Sequence, residues 1–158
     1  MQKLKIAILS YRSAPFGGGQ GIYIHDISKA LSLMGHQVDV ISGPPYPNLS
    51  EKINLIKLPG LNLFQTFSFK ERLKIFIKKK NKRAIDFYEF FSTFFGGFPE
   101  MRTFGERARE FLDENHHYDI VIDNQSISYG MLKIQKKFPL IEIIHHPLTK
   151  DYKFELQS

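Results

Sequence analysis

The chain of 158 residues is long enough for one domain with its own hydrophobic core. It contains no cysteine, which excludes a disulfide framework and a cysteine-based metal site and fits a reducing compartment. The formal net charge is +6, and residues 70–83 hold eight basic residues against one glutamate, so the positive charge is concentrated in one stretch.

The N-terminal segment excludes two kinds of membrane segment. Its apolar run covers only residues 6–9, whereas a signal peptide needs about 7–15 apolar residues and a membrane span about 20. We therefore predict a cytoplasmic protein that does not span a membrane.

Residues 4–58 predict alternating strands and helix. Residues 4–9 are an apolar, mostly branched run typical of a buried strand, and residues 37–42 and 53–58 predict two more. After the first strand, a glycine-rich loop leads into a helix that begins near Ile22 and ends at Gly35. The predicted inward face of this helix comprises Tyr23, Ile27, Ala30, Leu31 and Met34. The order strand, loop, helix, strand indicates a parallel sheet.

The rest of the chain predicts further helices and two more strands. Apolar residues keep helical spacing through the basic stretch, until residues 94–100 break the pattern. These residues are Leu73, Phe76, Ile77, Ala84, Phe87, Tyr88 and Phe91. A helix over residues 103–115 follows, with inward residues Phe104, Ala108, Phe111 and Leu112. The last elements are a strand over 119–123, a helix over 127–138 that tolerates Gly130, and a strand over 140–146 that Pro147 ends. We predict one α/β domain over residues 1–158, a Rossmann-like parallel sheet flanked by helices.

Three segments that follow predicted strands carry unusual residues: the glycine loop, residues 124–126 and residues 145–147. Ligands bind beyond the carboxyl ends of the strands in open parallel sheets, so we expect these segments to meet at one edge. The loop residues are Gly17, Gly18, Gly19, Gln20 and Gly21. Bare backbone before a helix N-terminus favours a phosphate; a flexible turn is the alternative.

The polar residues after the last two strands suit a hydroxylated ligand. Asn124 and Gln125 offer amide donors and acceptors for sugar hydroxyls, although they also suit a turn. His145 and His146 alternate in direction, so at most one faces the crevice squarely. Ordinary strand-end histidines are the alternative, and the spacing of ligands around them predicts no metal site.

Two phosphate-binding motifs are absent. A dinucleotide fingerprint needs G-x-G-x-x-G, but counting from Gly17 the sixth position is Ile22, and from Gly19 it is Ile24. The acidic residue expected after the second strand is also missing, and no Gly-Lys-Ser/Thr run follows the glycines. These departures disfavour NAD and ATP as ligands.

The basic stretch over residues 70–83 has three interpretations. On a helix, an apolar stripe flanked by lysines suits an anionic membrane surface, so that the protein is peripheral to the inner face of the membrane. Nucleic acid is disfavoured because we find no base-reading motif, and we predict no nucleic-acid partner. The third interpretation is a solvated surface over a core stripe.

Four stretches resemble, in this order, the N-terminal half of glycosyltransferase family 4. They are "GGGQGIYIHDISKALSLMGHQVDVISGPPYP", "FPEMRTFGERAREFL", "DIVIDNQSISYGMLKIQ" and "IEIIHHPLTKDYKFEL". The resemblance covers almost the whole chain and is weakest over residues 61–95. It implies the GT-B architecture, in which two Rossmann-like domains face each other across a cleft, and transfer of a glycosyl group from a nucleotide-diphospho-sugar to an acceptor hydroxyl with retention.

The resemblance also implies roles for individual residues. Gly17, Gly18 and Gly19 match the loop that approaches the donor phosphates, and His145 matches the histidine that contacts the transferred sugar and supports catalysis. Asn124, Gln125 and Asp151 match positions that line the cleft. The family is generally metal-independent, and we predict no cofactor beyond the nucleotide-diphospho-sugar donor; the predicted acceptor is a sugar or a lipid-linked acceptor.

The C-terminal domain of the family is absent from this chain. In the family, that domain binds most of the nucleotide and supplies paired glutamates, so we expect the 158-residue chain alone to be inactive. A non-catalytic Rossmann-like module that binds a phosphorylated ligand or a membrane surface is the alternative. An NAD-dependent oxidoreductase is a third hypothesis.

Overall fold

The sheet of the protein is all-parallel. The computed structural model describes residues 2–15, 19–63, 66, 68–95 and 99–145. Within these residues the strands are β1 (Lys5–Ser10), β2 (Gln37–Ser42), β3 (Asn54–Lys57), β4 (Ile120–Asn124) and β5 (Leu140–Ile143). Their order is β3-β2-β1-β4-β5, which confirms the predicted Rossmann-like sheet.

Helices cover both faces of this sheet. The helices are α1 (Gly19–Leu33), α2 (Phe69–Lys78), α3 (Ala84–Ser92), α4 (Pro99–Glu114) and α5 (Tyr129–Ile134), with a 3-10 turn at Thr93–Phe95. Alternate residues of β1 divide between two cores: Ile6 and Ile8 pack with Ile24 of α1, whereas Ala7 and Leu9 pack with residues of α4 and α5. This alternation places α1 on one face and α4 and α5 on the other.

The strand register aligns the carboxyl ends of the central strands. Ser10, the last residue of β1, pairs with Ser42 of β2 and with Asn124 of β4. The strand order reverses between β1 and β4, since the chain goes from β1 to β2 on one side and later returns to β4 on the other. Such a reversal point opens a crevice at the carboxyl edge, where ligands of α/β proteins bind.

Helix α1 differs from its prediction in its start and its inward face. It begins at Gly19 rather than Ile22, and Ala30 and Met34 are exposed. Its fully buried residues include Gly21, which is packed so closely that an added Cβ would lie 2.2 Å from the carbonyl oxygen of Ala14. Tyr23, Ile27 and Leu31 of the predicted face do pack against the core beside Ile24.

The predicted apolar stripe over residues 73–91 is wrong for α3. The chain forms two helices, because Asn81 adopts a left-handed conformation with φ 51° and the backbone N–H of Arg83 donates to Asp86 at 2.8 Å at the start of α3. Helix α3 then buries Asp86 and Glu89 and exposes Phe87. The buried ion pairs that cause this orientation are described below.

The later elements keep their predicted order with shifted ends. Helix α4 begins at Pro99, a residue suited to the first helical position, and β5 ends at Ile143 rather than at residue 146. Gly130 is required rather than tolerated, because a Cβ there would lie 2.4 Å from the backbone of Gly105 where α4 and α5 cross. None of the helices in the described ranges is long and apolar enough to cross a bilayer.

Candidate functional site

His145 is held by residues from two neighbouring elements at the carboxyl edge. It follows β5 and is exposed, so a ligand can reach it. Its Nε2 lies 2.6 Å from Oδ1 of Asn124, and its backbone N–H donates to Oε1 of Gln125 at 3.2 Å. The imidazole also contacts the ring of Tyr23 edge-on, with centroids 4.8 Å apart. The side chain and the backbone of His145 are therefore both fixed.

The bond to Asn124 defines the hydrogen-bonding capacity of the imidazole. Because an amide oxygen only accepts, Nε2 carries the proton and donates, which leaves Nδ1 of the neutral ring as an acceptor. Asn124 is fully buried, and its Nδ2 has no acceptor among the described residues. Of these two groups, Nδ1 belongs to the exposed ring, and it gives a hydroxylated ligand an acceptor at this edge.

The turn after β4 positions both amide side chains. Gln125 and Ile127 have φ values of 60° and 38°, a conformation that costs a residue other than glycine about 1–2 kcal/mol. Oδ2 of Asp123 stabilises the turn by accepting the backbone N–H of Ser126 at 2.7 Å. Backbone strain next to a candidate ligand site is typical of functional turns.

A pair of carboxyl groups lies beneath this turn. Asp123 and Glu142 are direct partners in the register of β4 and β5. Burial raises the pKa of both carboxyl groups. The backbone N–H of Ser126 stabilises the ionised form of Asp123, so Glu142 is the member of the pair that keeps its proton more readily. Burial, followed by the interaction with Asp123, raises the pKa of Glu142 to about 9.

The glycine loop lies partly outside the described residues. Gly17 and Gly18 fall outside them, as do His146 and Asp151. Gly19 opens α1, and an added Cβ there would meet no atom within 4 Å. The first turn of α1 contains no acidic residue, so its free N–H groups keep their capacity for an anion. At Gly21, the close contact with Ala14 already requires a residue without a Cβ.

The contact of Tyr23 with His145 brings the first turns of α1 to the polar residues that follow β4 and β5. The predicted site residues Gly19, Gln20, Asn124, Gln125 and His145 thus belong to segments that meet at one edge of the sheet. Their roles stay predictions. Among the described residues, no three histidine, aspartate or glutamate side chains are grouped to hold a metal ion.

A small cavity of about 10 Å³, room for roughly one water molecule, lies at the same edge on the α4 side. It is lined by Tyr11, Gly43, Pro44, Asn62, Glu100 and Thr103, among others. Oδ1 of Asn62 is buried and has no donor within the described part of the chain. Burial, with a smaller contribution from the charge of Glu89, raises the pKa of Glu100. Tyr11 directly follows Ser10, the register partner of Asn124, so the two regions adjoin.

Sequence reasoning missed three residues of the site. The sequence predicts Tyr23 only as a core residue of the first helix, and Asp123 and Glu142 only as residues of their strands. A signal was available for the last two, because acidic residues inside apolar parallel strands are expensive to bury and need a stated partner. No comparable signal marked Tyr23.

Comparison with known proteins identifies the family. The model of Glycosyltransferase Family 4 matches residues 17–157. The chain is also similar to an MMP α-(1→4)-mannosyltransferase from Mycolicibacterium hassiacum, with 40% identity over 158 residues. That alignment includes 98% of this chain but only 38% of the relative, so the chain spans well under half of the relative's length. The match over most of the sequence shows that the chain belongs to glycosyltransferase family 4.

Proposed function

We propose that this chain is the acceptor-side domain of a retaining glycosyltransferase that moves a hexosyl group from a nucleotide-diphospho-sugar to an acceptor hydroxyl. The observation that carries the proposal is the fixed imidazole of His145, bound by Asn124 and Gln125 at the sheet edge where α1 begins. The mannosyltransferase named above supports mannose as the first sugar to test.

Different groups at this edge of the sheet would bind different parts of the donor substrate. The free N–H groups at the start of α1 would stabilise the negative charge that builds on the leaving diphosphate. Nδ1 of His145 would accept from a hydroxyl of the transferred sugar, and Asn124 would hold the imidazole in the orientation that this contact needs. Because Gly17 and Gly18 have no side chains, the donor phosphates could approach the backbone there.

The experiment is a transfer assay with the intact protein. It is incubated with UDP- and GDP-linked mannose and glucose and a panel of mannoside and glucoside acceptors, and the product linkage is read by NMR. We expect one donor to give an α-linked product, which is retention. A β-linked product would contradict retention, and absence of transfer with every pair would favour the non-catalytic module. We expect the 158-residue chain alone to give no product.

A further inference from the structure

Helix α3 presents its apolar residues outward. Its buried residues are Asp86, Glu89 and Phe90. The exposed residues Ala84, Phe87, Tyr88 and Phe91 follow the spacing of a single helical face. Phe91 has 55% of its surface exposed. The usual arrangement of a surface helix, with charge outward and apolar residues inward, is therefore inverted here.

Buried ion pairs fix this orientation. Arg107 of α4 is 6% exposed and lies 2.6 Å from Asp86 and 2.8 Å from Glu89. Glu89 also accepts the backbone N–H of Leu61 at 2.8 Å, and Nζ of Lys79 lies 2.6 Å from Asp86. Rotating α3 to hide its aromatic residues would leave these charges buried without partners, which is strongly unfavourable. The aromatic face is therefore held toward solvent.

The exposed aromatic residues continue beyond α3. The ring of Phe94 lies 5.6 Å from that of Phe69 on α2 and 6.5 Å from that of Phe91. Phe95, which follows, is 89% exposed. We call this surface the aromatic patch; it comprises Phe69, Phe87, Tyr88, Phe91, Phe94 and Phe95. A continuous exposed apolar surface of this kind marks an interaction site.

Exposed lysines lie on α2, the helix that contributes Phe69 to the aromatic patch. On α2, Lys70, Lys74 and Lys78 are exposed, follow one another at turn spacing and form no ion pair among the described residues. Phe69 precedes them and is half exposed. Lys79 does not belong to this group, because Asp86 holds its ammonium. The exposed acidic residue on α2 is Glu71.

We propose that the aromatic patch and the lysines of α2 bind the surface of an anionic lipid bilayer. Phenylalanine rings enter the boundary between headgroups and acyl chains, and lysines beside them attract the anionic headgroups. A second copy of this chain would bring the same lysines against themselves, so like-charge repulsion opposes self-association through this surface. The proposal does not depend on the glycosyltransferase activity.

The test is co-sedimentation of the intact protein with vesicles. One set contains phosphatidylglycerol in phosphatidylcholine, and the other contains phosphatidylcholine alone. We expect binding to the anionic vesicles at low salt, with high salt weakening it. Equal binding to both sets, or binding to neither, would overturn the proposal.

Two variants, each with a matched control, separate the contribution of the lysines to vesicle binding from that of the aromatic residues. Replacing Lys70, Lys74 and Lys78 with glutamine should weaken binding roughly 100-fold. The double variant Phe87→Ser with Phe91→Ser should weaken it at least about 10-fold. The controls change equally exposed residues elsewhere: Lys29, Lys52 and Lys136 to glutamine, and Ile22 and Leu33 to serine.

The controls should bind as the unchanged protein does, and circular dichroism verifies the fold of every variant. Equal losses in the patch variants and in the controls would refute a specific surface. Ultracentrifugation provides a further outcome. A dimer that Phe87→Ser with Phe91→Ser dissociates, in a protein that does not bind vesicles, would assign the patch to a second copy and contradict the proposal.

Discussion

The edge around His145 and the helix α3 both contain buried polar side chains, but the two regions differ in whether the hydrogen-bonding groups of these side chains are all paired. At the edge, Asn124 is buried but directs hydrogen-bonding groups toward an exposed imidazole. In α3, Asp86 and Glu89 are buried and satisfied by Arg107, and aromatic residues lie outside. Spare hydrogen-bonding capacity indicates a ligand in the first region, whereas fully paired charges indicate a structural role in the second. The following changes test that distinction.

The largest effect is expected for Arg107→Met. It leaves Glu89 and Asp86 buried with fewer counter-charges, so the free energy of unfolding should fall by about 3–5 kcal/mol in urea titrations. Arg109→Met is the control, because Arg109 pairs with Glu106 and Asp113 in more exposed positions and should cost about 1 kcal/mol or less. Similar losses for the two variants would show that the buried pairs do not fix α3.

A smaller loss is expected for Gly130→Ala. The added methyl group would lie 2.4 Å from the backbone of Gly105, so α4 and α5 must separate. We expect the clash to exceed the gain in helix propensity of about 1 kcal/mol, for a net loss of about 1–3 kcal/mol in the same titrations. Gly19→Ala, with open space at its Cβ, should change stability by less than about 0.5 kcal/mol. A more stable Gly130→Ala would disprove the close crossing.

The effect of Glu142→Gln should appear in the pH dependence of stability. The pKa of Glu142 is raised by burial from 4.5 to about 9, so between these values the unfolded chain loses this proton while the folded chain keeps it. The contribution of Glu142 to the free energy of unfolding is therefore complete below pH 4.5 and is lost as the pH rises toward 9. Glutamine keeps a donor to Asp123 and cannot ionise.

The measurement is the melting temperature across this pH range. We expect it to fall less steeply with rising pH in Glu142→Gln than in the unchanged protein. Glu51→Gln, at an exposed position, is the control and should leave the slope as it was. Parallel slopes for all three proteins would contradict the raised pKa of Glu142.

The sheet could be predicted because its strands are short apolar runs between clear loop signals. The sequence around β1, β2 and β4 therefore indicated the parallel order, and the rule that strand ends share an edge brought Asn124, Gln125 and His145 together. Helix α3 could not be read in the same way. Its inward face depends on Arg107, which lies in another helix, and an apolar stripe carries no information about such a distant charge.

Within the site, too, some features could be predicted from the sequence and others could not. The polar segments after β4 and β5 were recognisable as strand ends, but the left-handed turn at Gln125 and the contact of Tyr23 with His145 depend on tertiary packing. Likewise, the sequence predicts Gly21 as part of a phosphate-binding loop and Gly130 as a tolerated helix residue, whereas both lie close against the backbone of a neighbouring segment.

The role of His145 is the central proposal, and the turnover of His145→Ala in the intact protein tests it most directly. His117→Ala is the matched control, because His117 is also exposed but precedes β4 at the opposite edge of the sheet. We predict that His145→Ala lowers kcat about 10²–10³-fold with an unchanged melting temperature, whereas His117→Ala keeps full turnover. Equal kcat values for the two variants would contradict the assignment of this edge as the site of transfer.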